Sequence, residues 1–401
     1  MKERFFRRKL KNGMTVLMEK RELPVVSVGI INKFGGAFED EKVKGIAHVI
    51  EHLLFTGTKT RTHEDISREI EKKGGILNAF TANEVTNFWF KLPSEHIFAG
   101  LDILTDMLSS PKFDEVKFEK EKRVILEEIK MYHDSPDRDV YRLIEEALYE
   151  KPFGVGIIGT KESVSSLKRD FVKKYFEEHY SPENYIAIIV GNADFEKVCE
   201  YLENKFEKRK VKLKELNIRK KNAQLKEERS GIDQAHLVFA VHSPLANEKE
   251  YYVLQVLDAY LAEGMSSKMF LKIREELGLA YSIRSSLNAE KSYSYYTIYV
   301  GTTKDKVDEV KKLILEEFLK VEKELGEKEL KESKERLLGL RKISSEESSS
   351  VMNALIYEEL TEGAENYYDY EKNISKVKLA DVKKIAKKIV KSYSTAEIVP
   401  K

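Results

Sequence analysis

The residues best placed to do chemistry are His48, Glu51 and His52, in the run His48-Val49-Ile50-Glu51-His52. On a helix, positions i and i+4 share one face, so both imidazoles project together. Two neutral imidazoles one turn apart suit a single Zn²⁺. Glu51 lies beside them, placed to take a proton from a metal-activated water rather than to ligate. With 8 His and 69 acidic residues in 401 positions, chance supplies about 0.03 copies of His-x-x-acid-His. A capped or core histidine pair is the bland alternative.

A catalytic zinc takes a third protein ligand and keeps one position open. Glu127 and Glu128 are adjacent in the helical stretch Phe118–Met131 and point about 100° apart around its axis. Glu127 has Arg123 at i−4 and Lys130 at i+3, an ion-paired, solvated setting. Glu128 has Val124, Ile125 and Met131 around it. It is therefore expected on an apolar, inward face, where a carboxylate needs a partner or a metal. Glu128 is the expected ligand. Glu121, one heptad earlier on the same face, is placed to orient a histidine or a water. A plain helix-end charge is its alternative.

The elements that must position these residues alternate short β-rich runs with longer helices. Lys42–Phe55 reads as the helix of the histidine pair. Thr62–Lys73 reads as a second helix, with Thr62 and Asp65 spaced as a capping box and Gly74-Gly75 as its stop. Ile76–Thr81 and Val85–Leu92 read as paired strands, after Thr15–Glu19 and Val25–Asn32. Ser94–Ser109, Phe113–His133, Asp137–Leu148 and Glu162–His179 read as helices, and Tyr185–Val190 as a strand. The second half repeats the order loosely. Glu119–Leu126 (EKEKRVIL) echoes Glu332–Gly339 (ESKERLLG), which sets Arg341 opposite Glu128. Two α+β domains of similar size are expected, over residues 1–206 and 230–401. A charge-rich linker, 207–229, separates them. A polyanion-binding patch is its sharper reading, weakened by its interspersed Glu and Leu.

Composition narrows the function classes. Lys+Arg is 70 and Asp+Glu 69, so no overall basic footprint points to nucleic acid. Charged residues make up 35% of the chain, a density that fits ion-pair networks and hints at a thermophilic source. Cys199 is the only cysteine, which excludes an intramolecular disulfide and a cysteine-based zinc finger. No apolar leader and no membrane-length apolar run occur, so a cytoplasmic protein is expected.

The motif resembles that of the inverted zincins. More narrowly, the chain resembles the M16 (pitrilysin) metallopeptidases, in size the mitochondrial-processing-peptidase-like branch. Gly45–Arg61 is similar to the family's active-site helix, Gly74–Phe90 to its strand pair, Glu121–Asp137 to the segment bearing the third ligand, and Gly264–Ile283 to its R-x6-Y segment. The resemblance implies two related LuxS-metallohydrolase-like domains, each a mainly antiparallel sheet covered on one face by helices. It implies one Zn²⁺ per chain on His48, His52 and Glu128, with Glu51 as general base and Glu121 as the auxiliary glutamate. Arg274 and Tyr281 fall on the pair that contacts substrate near the scissile bond. Asn78, Ala79 and Phe80 fall on the strand that pairs with an extended peptide. Trp89 and Phe90 read as core.

The second half has no His-x-x-Glu-His and resembles the family's inactive companion domain. One chain carrying both the zinc motif and the Arg/Tyr pair implies a homodimer, each site completed by the partner around a closed chamber. The expected activity is a zinc endopeptidase acting on peptides or unfolded segments, with no nucleic-acid or membrane partner. A dedicated precursor-processing enzyme that needs a partner, and a non-catalytic assembly subunit, are the alternatives.

Overall fold

The computed structural model describes residues 4–209, 211 and 213–401. Residues 1–3 of the expected first domain, and Lys210 and Lys212 of the expected linker, lie outside them. The chain divides into two compact units, each drawn from separated stretches. The first comprises 1–130, 155–217 and 345–356, and the second 131–154, 218–344 and 357–401.

The first unit is built on six strands: β1 (Phe5–Lys9), β2 (Thr15–Lys20), β3 (Val25–Asn32), β4 (Ile76–Thr81), β5 (Thr86–Pro93) and β6 (Tyr185–Gly191). Their order is β1-β2-β6-β3-β5-β4. Only β2 and β6 run parallel. The Val/Ile-rich β3 lies inside the sheet, where β-branched side chains pack on both faces. β4 is at an edge and pairs with β5 alone, Asn78 opposite Trp89 and Phe80 opposite Asn87.

The first eight helices are α1 (Ile46–Phe55), α2 (His63–Glu71), α3 (Ile97–Ser109), α4 (Glu115–His133), α5 (Pro136–Leu148), α6 (Lys161–Ser166), α7 (Arg169–His179) and α8 (Phe195–Lys205). Val26, Val28 and Ile30 of β3 and Phe88 and Phe90 of β5 share a core with Val49, Ile50 and Leu53 of α1 and Leu101 and Leu104 of α3. The opposite face of β3 meets the 345–356 segment. Ser27 Oγ lies 2.9 Å from Ser348 Oγ, and a Cβ on Gly29 would sit 3.2 Å from Met352 Sδ.

The second unit has five strands, β7 (Gln224–Arg229), β8 (Ala235–His242), β9 (Ser282–Ala289), β10 (Ser294–Thr302) and β11 (Ser394–Pro400). Their order is β7-β11-β8-β10-β9, antiparallel except for β7 with β11. Its helices are α5, α9 (Lys249–Leu261), α10 (Val307–Glu324), α11 (Glu327–Ser344), α13 (Tyr370–Lys376) and α14 (Leu379–Ile389), with the last part of α12 (Ser348–Thr361). α9, α10 and α14 bury one sheet face in a second core. α5 meets the other: Ser394 Oγ lies 3.3 Å from the Ala147 carbonyl, and the Tyr295 hydroxyl donates to Glu145 at 3.0 Å.

Local patterns were read well where the signal was local. β3 and β4 match residue for residue, and Thr62 and Asp65 form the expected capping box. The helix read over Glu162–His179 is two, α6 and α7, broken at Leu167-Lys168 without a Gly or Pro to mark it. Residues 224–229, inside the stretch read as a linker, form β7 with alternating half-burial.

Candidate active site

α1 begins at Ile46 and turns Ile46, Ala47, Val49, Ile50, Leu53 and Leu54 into the core. That leaves His48, Glu51 and His52 half-buried on its other side. Its cap residue, Gly45, has φ +93°, and a Cβ there would stand 2.6 Å from the Ile158 carbonyl oxygen. Glycine alone accepts that backbone without strain.

The two imidazoles and Glu128 converge. His48 Nε2 lies 3.8 Å and His52 Nε2 3.7 Å from Glu128 Oε2. One donor atom from each of the three lies within 4.8 Å of the others, the only such His/Cys/Asp/Glu group among the described residues. Metal–ligand distances of about 2.0–2.2 Å put tetrahedral donors roughly 3.4 Å apart. Both His–Glu128 separations lie within a few tenths of an ångström of that value. His52 Nδ1 lies 3.2 Å from Glu121 Oε2. That bond favours the tautomer with a proton on Nδ1 and leaves Nε2 a lone pair for metal. His48 Nδ1 is buried without a hydrogen-bond partner.

Glu128 reaches this position on a face different in character from the one expected. Ile125 is buried, but Val124 and Met131 are exposed at 44% and 49%. Glu127 is exposed. The site itself half-buries Glu128, rather than an apolar helix stripe.

Burial and the neighbouring charges shift all four groups of the site. Burial, reinforced by the nearby His52, pushes His48 down to about 4, so it is neutral near pH 7. Burial also opposes protonation of His52, but the bond to Glu121 and the Glu128 and Glu51 charges outweigh it and raise its pKa. Burial raises Glu128, with His52 opposing. Glu51 is raised by burial too, while its bond to Thr81 pulls the other way. A carboxylate shifted upward is a better proton acceptor than a free one.

Thr81, the last residue of β4, was not singled out from the sequence. Its hydroxyl donates to Glu51 Oε2 at 2.5 Å. The alternation of β4 is the signal that would have found it: Ile76, Asn78 and Phe80 are exposed, whereas Thr81 is buried. Asn78 and Phe80 stand open at the sheet edge and Ala79 is half-buried. Trp89 is half-buried and Phe90 fully buried in the core.

Glu39 was missed as well. Its carboxylate accepts from Gly45 N–H at 2.9 Å and Ala47 N–H at 2.7 Å, at the start of α1. No sequence spacing marks a cap that lies outside the helix it serves.

Arg274 and Tyr281 belong to the second unit. Arg274, in the helical segment Phe270–Glu276, stacks over Phe270 at 4.7 Å. Tyr281 is 47% exposed and its ring lies against Gly301, where a Cβ would come within 2.4 Å of it. Its hydroxyl is 3.4 Å from that of Tyr299, which lies 2.8 Å from His236 Nδ1.

The internal echo shifts by one residue. Lys122 Nζ donates to the Ser165 and Leu167 carbonyls at 3.1 and 3.0 Å. Lys334 Nζ does the same to Ser375 and Val377, at 3.0 and 2.5 Å. With Lys334 as the counterpart of Lys122, Leu340 rather than Arg341 stands where Glu128 stands in α4. Neither residue is a zinc ligand.

The chain matches known proteins over most of its length. Residues 15–161 match the family model described as insulinase (peptidase family M16), and residues 166–337 that of the peptidase M16 inactive domain. An uncharacterized zinc protease of Bacillus subtilis is 31% identical over 396 residues, 97% of each chain. One from Rickettsia felis is 30% identical over 415 residues, covering 100% of this chain and 98% of its own. A protease from Helicobacter pylori has the same fold, with TM-score 0.92 at 22% identity over 99% of both chains. So has an M16 inactive domain protein from Pseudomonas fluorescens, with TM-score 0.89 at 16% identity over 99% of this chain and 98% of its own. No helix among the described residues is long and apolar enough to cross a membrane.

Proposed function

Because the chain belongs to the M16 peptidase family, we propose that it is a zinc endopeptidase that cleaves extended peptides or unfolded segments. The observation that carries this reading is the convergence of His48, His52 and Glu128 beside a Glu51 carboxylate held by Thr81. His48, His52 and Glu128 would hold one Zn²⁺ per chain, which supplies a Lewis acid for the scissile carbonyl and lowers the pKa of the attacking water.

The chain's own groups do the rest. An extended peptide adds to the open edge of β4, taking backbone hydrogen bonds from Asn78–Phe80, with Phe80 and Ile76 offering apolar contact. Glu51 removes a proton from the water as its oxygen adds to the carbonyl carbon. It then returns that proton to the amide nitrogen as the C–N bond breaks, giving a carboxylic acid and an amine. Thr81 aims the carboxylate throughout, and Glu121 holds the His52 ring. Arg274 and Tyr281, supplied by a second copy of the chain, would position the substrate and stabilise the developing oxyanion. That assignment makes the working form a homodimer around an enclosed chamber. A cytoplasmic setting belongs to the same proposal, supported by the single, unpaired Cys199.

The test is hydrolysis of a mixed library of ten-to-thirty-residue peptides by zinc-loaded protein, with Glu51→Gln as control. Cleavage by the wild type alone supports the reading. Equal cleavage by both removes Glu51 from the base role. Equimolar zinc with no cleavage by either favours a dedicated processing role that needs a partner.

A further inference from the structure

The cap residue of α1, Gly45, has no side chain to satisfy the helix's first N–H groups. The Glu39 carboxylate does so instead: Oε2 accepts from Gly45 and Oε1 from Ala47. Glu39 has no exposed side-chain surface, nor has its counter-charge Lys44, whose Nζ is 3.8 Å from Glu39 Oε2. Lys44 Nζ is itself tied to the Gly36 carbonyl at 2.6 Å, and Ser163 Oγ holds the Lys44 carbonyl at 2.7 Å. The Glu39 carboxylate therefore meets the positive end of the α1 dipole, inside a frame anchored at residues 36, 44 and 163.

Burying such a pair is a poor route to stability, because desolvation offsets most of the attraction. A Ser or Asp at the cap would satisfy the helix more simply. What the buried pair does supply is a fixed point. The N–H of Ala47 immediately precedes His48, and the helix from there on carries Glu51 and His52. A shift of half an ångström at this end would move both imidazoles relative to Glu128, which is mounted separately on α4.

We infer that Glu39, with Lys44 as its buried counter-charge, is a positioning residue that sets α1 in register with α4 so that His48 and His52 meet Glu128. This inference rests on the zinc reading of the site but not on any peptide being cleaved. It is therefore tested on metal affinity and coordination geometry.

Glu39→Gln alone removes the carboxylate that faces Lys44, so the paired variant Glu39→Gln/Lys44→Met is made beside it to remove both charges together. Leu202→Ala, in the core of the same unit on α8, controls for general loosening. Zinc affinity is measured by competition with a chromophoric chelator, and geometry by the visible spectrum of the Co²⁺-substituted protein. The expected result for the folded Glu39 variants is a 10–100-fold loss of zinc affinity and an altered Co²⁺ spectrum, with Leu202→Ala like wild type in both. Wild-type affinity and spectrum in the paired variant overturn the inference, as does an equal loss in Leu202→Ala. A wild-type protein that binds zinc but cleaves no library peptide would sink the reading as a broad, self-sufficient endopeptidase and leave this one standing.

Discussion

Thr81 Oγ1 and Glu51 Oε2 are 2.5 Å apart, across the step between the edge strand β4 and the metal-site helix α1. In the proposed mechanism, the strand offered to the substrate thus ends on the group that orients the general base. Thr81→Val removes the donor while keeping the shape, and should lower kcat about tenfold with zinc content unchanged. Thr81→Ser should recover most of that loss. Glu51→Gln should keep zinc and lose about 10²–10⁴ in kcat. Stopped assays beside metal analysis check all three. A Thr81→Val enzyme with wild-type kcat would leave Thr81 a structural residue only.

Glu121 faces His52 Nδ1 at 3.2 Å and is itself only 21% exposed. Glu121→Gln should weaken zinc binding by roughly 10–100-fold, because His52 loses the partner that fixes its tautomer. Glu127→Gln, on the exposed face of the same helix, should change nothing measurable. Equal zinc affinity in the two variants would assign Glu121 to the helix surface.

Asp258 is half-buried in the second unit and accepts from the Tyr296 hydroxyl at 2.6 Å. Burial pushes it up to about 6, with the Tyr296 hydroxyl pulling the other way. A carboxyl whose folded pKa is raised holds its proton more tightly when folded. Its stabilising contribution is full below the unfolded value near 4 and is lost as pH rises to about 6. The loss is on the order of 3 kcal/mol. Asp258→Asn should flatten the fall in the urea midpoint over that window. An unchanged slope would show that Asp258 titrates normally.

Glu51 and Tyr281 sit in different compact units of the chain. If sites are completed by a second copy, mixing Glu51→Gln with Tyr281→Phe protein should restore activity. Half of the sites in each mixed dimer then combine an intact Glu51 with an intact Tyr281. Activity no higher than that of the separate variants, with dimers shown by light scattering, argues that each chain works alone.

The motif residues were legible because helix geometry alone brings them together: His48 and His52 are one turn apart whatever surrounds them. The Thr62–Asp65 cap and the β3 run were legible for the same local reason. Glu128 was legible only in part. Apolar neighbours suggested an inward face, yet Val124 and Met131 are exposed. The strand β7 was hidden because QLKEER ends in four consecutive charged residues and gains its order from pairing with β11, far along the chain.

The sequence by itself determined which chemistry is available: two imidazoles and a carboxylate on one helical turn, and a chain with one motif rather than two. Only tertiary structure decided what completes and holds that chemistry. Glu121 and Glu128 on α4, Thr81 at the end of β4 and Glu39 ahead of α1 reach the motif across loops and neighbouring elements. Periodicity reports the face a residue occupies on its own element. Which faces then meet depends on how buried surfaces and unsatisfied N–H groups are shared over the whole fold.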